Sequence, residues 1–377
     1  MSKAAELAAL IGSQTALSNR NLVTNGAMQV AQRGTSTTSA AAFTFFADRF
    51  YYESGSMDAL VIDTAQVADA PSGTGIKYSI KATVTTPEVG SGDTTEFAQV
   101  NMFLEHQDSS QKLSWGTSSA KDMTVSFYVK SSVTGVFLFS LHKSGGTAGF
   151  GTHYTINSAN TWEKKTIAVP AATDSSWAAL ADTGRGIESR WSWRVGSNVT
   201  KTVDGDWDYT GGYVGFSDVS NTGGDAFVTT NGATWQLTGV QYEIGEQATP
   251  FEHRPFSDEL RRCQRYFCKS YNYDIAPGAS GSTNNLKGAT SFSGGTSTSN
   301  RPFWSGGQYP VTMRSEPTIV LYHYDGTSGK ITGGSFASYD GSAVNIGDRG
   351  FNVHPTGNVS NSDDEDHYCI FTASAEV

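Results

Sequence analysis

Between residues 21 and 254 the chain alternates apolar and polar residues in short runs that are separated by glycine-rich turns. A period of two is typical of a β-strand with one buried face. In the clearest run, 123–132, the apolar residues occupy every second position: Met123, Val125, Phe127 and Val129. The same kind of pattern predicts four further strands: 77–86, 136–143, 161–170 and 211–219.

Many short strands with turns between them, and no helices among them, predict an antiparallel sandwich or barrel. Residues 275–377 show further strand pairs and a DGTSG turn. That stretch is about 100 residues long, a normal domain size. We therefore predict a mainly β protein, with a large β-sandwich followed by a second, smaller β-sandwich domain.

Two short stretches have helical periodicity instead. Residues 3–11 (KAAELAALI) carry an apolar stripe, but a helix of this length is marginal alone because about 12–15 residues are usually needed. We expect its stripe to be buried against sister copies or a socket on another protein, through Leu7, Leu10 and Ile11. The second stretch follows Pro255, where Ser257 is a suitable N-cap and acidic residues occupy the first turn.

Charge and composition exclude several classes of function. The net charge of −10 argues against nucleic acid as a partner, which requires clustered Lys and Arg. No run of 18 apolar residues occurs, so we expect no membrane insertion. The three cysteines, Cys263, Cys268 and Cys369, match neither a zinc motif nor a disulfide framework, and we expect buried free thiols.

Two distant stretches bracket the first β region: NLVTNGAMQVAQRG at 21–34 and WQLTGVQYEIGEQATPFEHRPF at 235–256. Together with FFADRF at 45–50, they resemble the start and end of a module common in tail-fibre and appendage proteins of tailed bacteriophages. The resemblance covers residues 1 to about 270. It implies a jelly-roll carbohydrate-binding-like body whose first and last strands lie side by side, so we expect the two stretches to meet.

The resemblance also implies a domain order: an N-terminal anchoring helix over 1–20, the jelly roll over 21–254, a connecting helix over 255–274 and a β-rich tip over 275–377. Modules of this kind often hold a structural calcium through an aspartate in the last strand. Here Thr238 and Gly239 stand in that position, and Glu243 lies further on, outside the expected pocket. We therefore expect no cofactor, with a structural calcium as the alternative.

In function, the resemblance implies a virion structural protein: a tail-fibre or appendage subunit, homotrimeric, that attaches to host surface glycans. It would be located in the virion, and its N-terminal helix would contact other virion proteins. A capsid (head) fibre or a structural connector without a receptor role is the alternative. A polysaccharide-degrading enzyme is less favoured, since the sequence has no GxSxG, HExxH or GxxxxGK[ST] motif.

Half of the eight tryptophans lie between residues 177 and 207. In SRWSWRVG (189–196), Trp191 and Trp193 share one strand face while Arg190 and Arg194 share the other. Sugars stack their C–H faces on aromatic rings, and an adjacent arginine suits acidic glycans. The candidate glycan-binding residues are Trp177, Arg190, Trp191, Trp193, Arg194 and Trp207. The alternative is that the tryptophans fill the sandwich core or an intersubunit seam.

Two acidic patterns suggest weaker candidates. Asp204, Asp206 and Asp208 place oxygen donors at alternate positions, as in a calcium loop, but Tyr209 stands where an EF-hand requires glycine. A solvated turn is the alternative reading. The run SNSDDEDH at 360–367 is interpreted as a solvated loop. In FFADRF, Asp48 and Arg49 are interpreted as a framework salt link or capping contact, with a ligand role as the alternative.

Overall fold

A computed structural model describes the chain over 19–90, 94–145, 148–196, 204–209, 222–279, 290–293, 305–333, 336–355 and 366–376. The predicted N-terminal helix with Leu7, Leu10 and Ile11, the strand predicted over 211–219 and residues 360–365 lie outside these ranges. The chain forms two compact units that divide between Pro255 and Phe256, except that Val30–Gly34 belongs to the second unit.

In the first unit, the described residues form thirteen strands and one α-helix, α1 (Thr222–Thr229). Short 3-10 turns occur at His106–Asp108 and Ser175–Ala179. The strands are β1 (Ser36–Thr37), β2 (Thr44–Ala47), β3 (Phe50–Gly55), β4 (Val61–Val67), β5 (Ser79–Thr86), β6 (Phe97–Glu105), β7 (Met123–Ser131), β8 (Gly135–Lys143), β9 (Gly149–Ile156), β10 (Glu163–Val169), β11 (Arg185–Val195), β12 (Asp206–Asp208) and β13 (Thr234–Ile244).

These strands form two antiparallel sheets that share one core. Sheet A has the order β1-β4-β5-β13-β7-β10, and sheet B has the order β12-β9-β8-β11-β6-β3-β2. The apolar residues of β7 that alternate in the sequence are all completely buried: Met123, Val125, Phe127 and Val129. The predicted fold class is confirmed, and the strands expected over 77–86, 123–132, 136–143 and 161–170 are present as β5, β7, β8 and β10.

The opening and closing stretches do meet. The Leu22 N–H donates to the Tyr242 carbonyl (3.0 Å), and the Val240 N–H donates to the Gly26 carbonyl (2.9 Å). The Asn21 side chain bridges the same strand, accepting from the Tyr242 N–H (3.0 Å) and donating to the Val240 carbonyl (3.1 Å). Gly26 is required here, because a Cβ would lie 2.1 Å from the Val240 oxygen. The predicted adjacency is confirmed.

Its form differs from the expectation in two respects. The opening stretch is not a regular strand, since Asn25 (φ 61°) and Met28 (φ 55°) adopt left-handed backbone conformations that interrupt a ladder. Its partner β13 lies inside sheet A rather than at an edge, with β5 beside its first half. The opening stretch therefore takes the place of β5 along the second half of β13.

The second unit contains helix α2 (Phe256–Gln264) and eight antiparallel strands around a separate core. The helix predicted over 255–274 is present as α2 and belongs to this unit. The strands are β14 (Phe267–Lys269), β15 (Thr290–Ser293), β16 (Ser305–Gln308), β17 (Thr318–Tyr322), β18 (Lys330–Thr332), β19 (Ser338–Val344), β20 (Gly350–Pro355) and β21 (Asp366–Ser374).

The cysteines all lie in this second unit as buried free thiols, which confirms the expectation. Burial raises the pKa of Cys268 and of Cys369 to about 12. Both thiols therefore stay protonated at neutral pH and are poor nucleophiles.

A five-residue segment from near the start of the chain completes the second unit. Within Val30–Gly34, the Gln32 side chain donates to the Phe267 carbonyl (2.7 Å). The Arg33 guanidinium lies 3.7 Å from the centroid of the Phe267 ring and 3.5 Å from the Glu376 carboxylate. The second unit thus depends on residues that precede it by more than 200 positions.

Candidate functional site

The tryptophans predicted to bind glycan lie in the core of the first unit. Trp191 and Trp193 are completely buried, and their rings lie 5.2 Å from Phe139 and 4.8 Å from Phe227, centroid to centroid. Neither indole has a face open to a sugar. The prediction of a glycan platform on these two rings is therefore wrong, and the alternative, that they fill the sandwich core, is confirmed.

Trp177 and Trp207 are also core residues. Trp177 is completely buried and Trp207 is 7% exposed. Both pack edge-on against Trp115, at centroid distances of 4.9 and 5.1 Å. The Trp207 indole N–H donates to the Pro170 carbonyl (2.8 Å). These rings stabilise one end of the sandwich, and they too were wrongly predicted as ligand contacts.

The opposite side of sheet B carries a different set of residues. Side chains alternate along a strand, so the residues between the core positions of β3, β6, β8 and β11 face away from the core. We call this set the polar face: Tyr51, Glu53, Gln99, Asn101, Phe103, Glu105, Ser140, His142, Glu188, Arg190 and Ser192. All except the half-buried Glu53 are less than a tenth exposed.

Such burial is costly, because polar groups withdrawn from water must be hydrogen-bonded or paired to be tolerated. The polar face meets this requirement mostly through its own members. The Gln99 amide donates to the Glu53 carboxylate (3.1 Å), and the Ser192 hydroxyl donates to the Gln99 carbonyl oxygen (3.1 Å). Packing explains why residues are buried in the core. It does not explain a connected network of buried polar groups that face away from the core.

Asn101 lies at the centre of this network, in register with Tyr51 on β3 and with Arg190 on β11. Its side-chain N–H groups donate to the Glu53 carboxylate and to the Tyr51 hydroxyl (3.4 Å). Its oxygen, Oδ1, is buried and has no hydrogen-bond partner. An unsatisfied buried acceptor costs about 1–3 kcal/mol. Asn101 is completely buried, so this unpartnered oxygen lies inside the network rather than on open surface.

The arginine of the polar face is paired within it. Arg190 donates to Glu188 through Nε (2.9 Å) and Nη2 (2.6 Å). His142, in register with Glu188, lies with Nε2 3.0 Å from the Ser140 hydroxyl oxygen. Burial lowers the pKa of His142 well below its ordinary range, and the nearby Arg190 charge lowers it further. The imidazole is therefore neutral at neutral pH.

Stacked aromatic rings form one end of the polar face. Phe43 is 63% exposed and stacks on Tyr51, with centroids 5.9 Å apart and planes 24° apart. Tyr51 stacks in turn on Phe103 (5.5 Å, 29°). Phe43 has φ of 66°, a conformation that is rare for a bulky residue and that clusters at functional sites. An open aromatic surface therefore adjoins the buried polar network.

Of the predicted glycan contacts, only Arg190 belongs to the polar face. Arg194, on the same strand face, holds other parts of the first unit: it pairs with Glu96 (2.9 Å) and Asp225 (3.0 Å). Sequence reasoning missed Phe43, Tyr51 and Asn101. The alternation of polar and apolar residues in AQVNMFLE (98–105) was a signal that would have located Asn101 on a polar strand face.

The predicted calcium-loop aspartates have ordinary surface roles. Asp204 accepts from the Thr152 hydroxyl (2.9 Å) and lies 3.0 Å from His153, while Asp206 accepts from the adjacent Trp207 N–H (2.7 Å). Within the described ranges, a different trio brings its carboxylate oxygens within 4.8 Å of one another: Asp58, Glu88 and Glu96. The calcium-loop aspartates are therefore not gathered around a common point.

The buried members of this trio already have protein partners. Burial by itself would raise the pKa of Glu88, but hydrogen bonds from four backbone N–H groups outweigh it, and the pKa is lowered. Glu96 is paired with Arg194. The protein itself therefore compensates both buried carboxylates of the trio.

The remaining predicted polar positions are framework contacts. The Thr238 hydroxyl donates to the Tyr78 carbonyl (2.6 Å). Glu243 is completely buried, accepts from the Thr249 N–H (3.0 Å) and lies 3.4 Å from Arg20. In FFADRF, buried Arg49 donates to the Phe103 carbonyl (2.6 Å). These residues hold loops and strands together rather than form a ligand site.

Comparison with known proteins finds only distant structural likenesses. No family model and no curated protein matches the chain. Solved structures that are similar include the enzymatically active domain of Bacteriophage CBA120 tailspike protein 4 (12% identity, TM-score 0.31, covering 60% of this chain and 21% of that one). Others are a CBM4 structure (13%, 0.30, 59% and 99%) and TmCBM61 in complex with β-1,4-galactotriose (8%, 0.28, 61% and 100%).

The chain thus covers about a fifth of the tailspike chain. Structural similarity this low says nothing about the activity of the chain. Evidence on function has to come from its side chains. Over the described part of the chain, no helix has the length and apolarity needed to cross a membrane.

Proposed function

We propose that the first unit binds glycans on the polar face of sheet B. The observation that carries the proposal is the exposed Phe43 ring, which stacks on Tyr51 beside a hydrogen-bonding network that includes the half-buried Glu53 carboxylate. A sugar ring requires both components, since it presents apolar C–H patches and a set of hydroxyl groups. Ligand sites are commonly built from aromatic surface and a few placed polar groups.

The charge arrangement favours a neutral glycan over an acidic one. Arg190 is paired with Glu188, so its charge is already used within the polar face. Glu53 adds a carboxylate that accepts hydrogen bonds and repels anions. This differs from the sequence-based expectation that arginine beside tryptophan would suit acidic glycans.

The polar face carries three carboxylates, Glu53, Glu105 and Glu188, and the positions of Glu53 and Glu188 argue against these two as a catalytic pair. Glu53 is in register with Gln99, and Glu188 with Phe103, on either side of β6. Two strand spacings and four residues along β6 separate their backbones by roughly 16 Å. A glycosidase pair requires about 5–10 Å between carboxyl groups. Assay of reducing ends released from bacterial polysaccharide tests this, and steady release abolished by Glu53→Gln would favour the enzyme.

We further propose that the protein is a fibre or appendage subunit of a bacteriophage virion that attaches to host surface glycans, as a homotrimer. The proposal is supported by the resemblance of residues 21–34 and 235–256 to phage fibre modules and by the contact between those stretches. Several copies would convert modest sugar affinity into strong attachment. Antibody labelling of virions with serum against the second unit distinguishes tail from capsid, and an unlabelled virion would contradict the proposal.

Phe43→Ala tests the glycan site. We expect about a tenfold loss of affinity for the best-bound neutral oligosaccharide in a panel that includes β-1,4-galactotriose, because the stacking surface is removed. Glu53→Gln, which keeps the shape but weakens a charged acceptor, should also reduce affinity. The matched control is Phe256→Ala, which removes a phenylalanine that is 43% exposed in the second unit. Equal affinity for Phe43→Ala and the wild-type protein would refute the site.

A further inference from the structure

The second unit has its own exposed aromatic cluster. Phe336 is 47% exposed, and its ring lies 4.8 Å from that of Tyr324 with an interplanar angle of 47°. Tyr324 contacts the His323 ring edge-on at 4.6 Å. The Tyr324 backbone is fixed by a hydrogen bond from its N–H to the Thr332 hydroxyl (2.9 Å). The exposed ring therefore rests on a supported aromatic base.

A buried histidine connects this ring to a carboxylate. His323 is 4% exposed; its Nδ1 lies 3.0 Å from Asp325 Oδ1, and its Nε2 lies 3.3 Å from the Phe336 carbonyl oxygen. One imidazole thus spans the loop that carries the aromatic ring and the turn that carries the carboxylate. The His323 ring therefore lies between the Phe336 carbonyl oxygen and the Asp325 carboxylate.

The Asp325 carboxylate is exposed and ionised. The backbone N–H of Thr327 donates to it (2.9 Å), and this hydrogen bond, followed by that from His323, lowers the pKa of Asp325 to about 2. A carboxylate has about four acceptor positions, so these contacts do not exhaust it. It can accept hydrogen bonds from a ligand over the whole physiological pH range.

The backbone of Phe336 repeats a feature of the first unit. Phe336 has φ of 62° and Phe43 has φ of 66°, and they are the phenylalanines with positive φ in the described part of the chain. Each is exposed, and each rests on a tyrosine. A bulky residue in this conformation is strained, and such strain clusters at ligand contacts. In both units, a backbone conformation of unfavourable energy exposes a phenylalanine ring to solvent.

We propose that Phe336, Tyr324 and Asp325 form a second sugar-contact site that takes one neutral pyranose residue. The apolar face of the pyranose lies on Phe336, and one of its hydroxyl groups donates to the Asp325 carboxylate. The negative charge of Asp325 disfavours acidic sugars. The site uses no residue of the polar face, so it goes beyond the function proposed for the first unit. Each of the two sites can be tested without the other.

Saturation-transfer-difference NMR on the full-length protein tests the site, with methyl β-D-galactopyranoside and methyl β-D-glucopyranoside as probes. The parent is the Phe43→Ala variant, which removes the stacking surface of the first unit. We expect at least one probe to give a signal in this background. Adding Phe336→Ala should reduce the signal at least fivefold, Asp325→Asn should also reduce it, and adding Phe256→Ala should leave it unchanged.

No signal from either probe in the Phe43→Ala background would overturn the proposal, as would a signal that Phe336→Ala leaves unchanged. If the wild-type protein binds sugar but the Phe43→Ala background does not, the first site stands and the second is rejected. Asp325→Asn keeps the proposal testable if Phe336→Ala misfolds. A change in sedimentation coefficient on Phe336→Ala would show that the ring contacts another copy of the chain, which would also reject the sugar site.

Discussion

The two faces of sheet B are formed by the same strands, but one carries apolar core residues and the other carries polar residues. On β11, Ile187, Trp191 and Trp193 point into the core, and Glu188 and Arg190, interleaved with them, point away from it. Both sets are buried. The difference lies in their contacts, since the tryptophans pack against other apolar side chains whereas the polar residues hydrogen-bond to one another.

The two faces differ in the free energy that burial of their side chains gains or costs. A tryptophan buries about 150–250 Å² and gains roughly 25 cal/mol for each Å² removed from water. Core packing therefore accounts for Trp191 and Trp193 without a ligand. Buried amides and carboxylates gain nothing comparable and require partners. The polar face has a desolvation cost that packing does not explain, and the proposed binding function would account for it.

The largest effect is expected from Trp191→Ala. Removal of this buried ring should lower the free energy of unfolding by about 3–5 kcal/mol, because a cavity is left in the core. Denaturant titration of the full-length protein measures it, with Trp162→Ala, at a half-buried surface position, as the matched control. A loss below about 1 kcal/mol together with loss of glycan binding would reverse the assignment of the two faces.

A smaller, pH-dependent effect is expected from His142. Its folded pKa is lowered from the ordinary value of 6.5, so only the unfolded chain takes up this proton as pH falls below 6.5. The stability contribution is complete above pH 6.5 and is lost below it, at up to about 1.4 kcal/mol per pH unit. His142→Gln should flatten the measured dependence of unfolding free energy on pH. Identical profiles for the wild-type protein and His142→Gln would contradict the prediction.

The smallest effect is expected from Phe43→Asn, and its sign is opposite to that of Trp191→Ala. Asparagine tolerates the left-handed backbone better than phenylalanine, so the unfolding free energy should rise by a few tenths of a kcal/mol, up to about 1. Glycan affinity should nevertheless fall, because the exposed ring is gone. Thermal unfolding and glycan titration of one preparation measure both. A variant that is less stable and binds equally well would show that Phe43 is a structural residue.

The sequence predicted the fold more completely than the site. Alternation in β7 identified the strand and its buried face, and it also placed Trp191 and Arg190 on opposite faces of one strand. Alternation alone does not say which face is enclosed by the other sheet. That depends on pairings between distant strands, such as Asn101 with both Tyr51 and Arg190. The site residues on β3 and β6 become neighbours only through this register.

Local conformation accounts for two other differences. The opening stretch was expected to be a strand, but the left-handed residues Asn25 and Met28 bend it, and hydrogen bonds to β13 satisfy its backbone instead. Val30–Gly34 joins the second unit through contacts with residues more than 200 positions away, such as that between Gln32 and Phe267. No periodicity in a five-residue segment signals such a contact.

A crystal structure of the full-length protein with the best-binding neutral oligosaccharide of the panel tests the central claim most directly. We expect a sugar ring stacked on the exposed Phe43 ring, with one hydroxyl group donating to the half-buried Glu53 carboxylate. An oligosaccharide bound to the first unit away from the polar face, or against Trp191 or Trp193 after the sandwich opens, would contradict it.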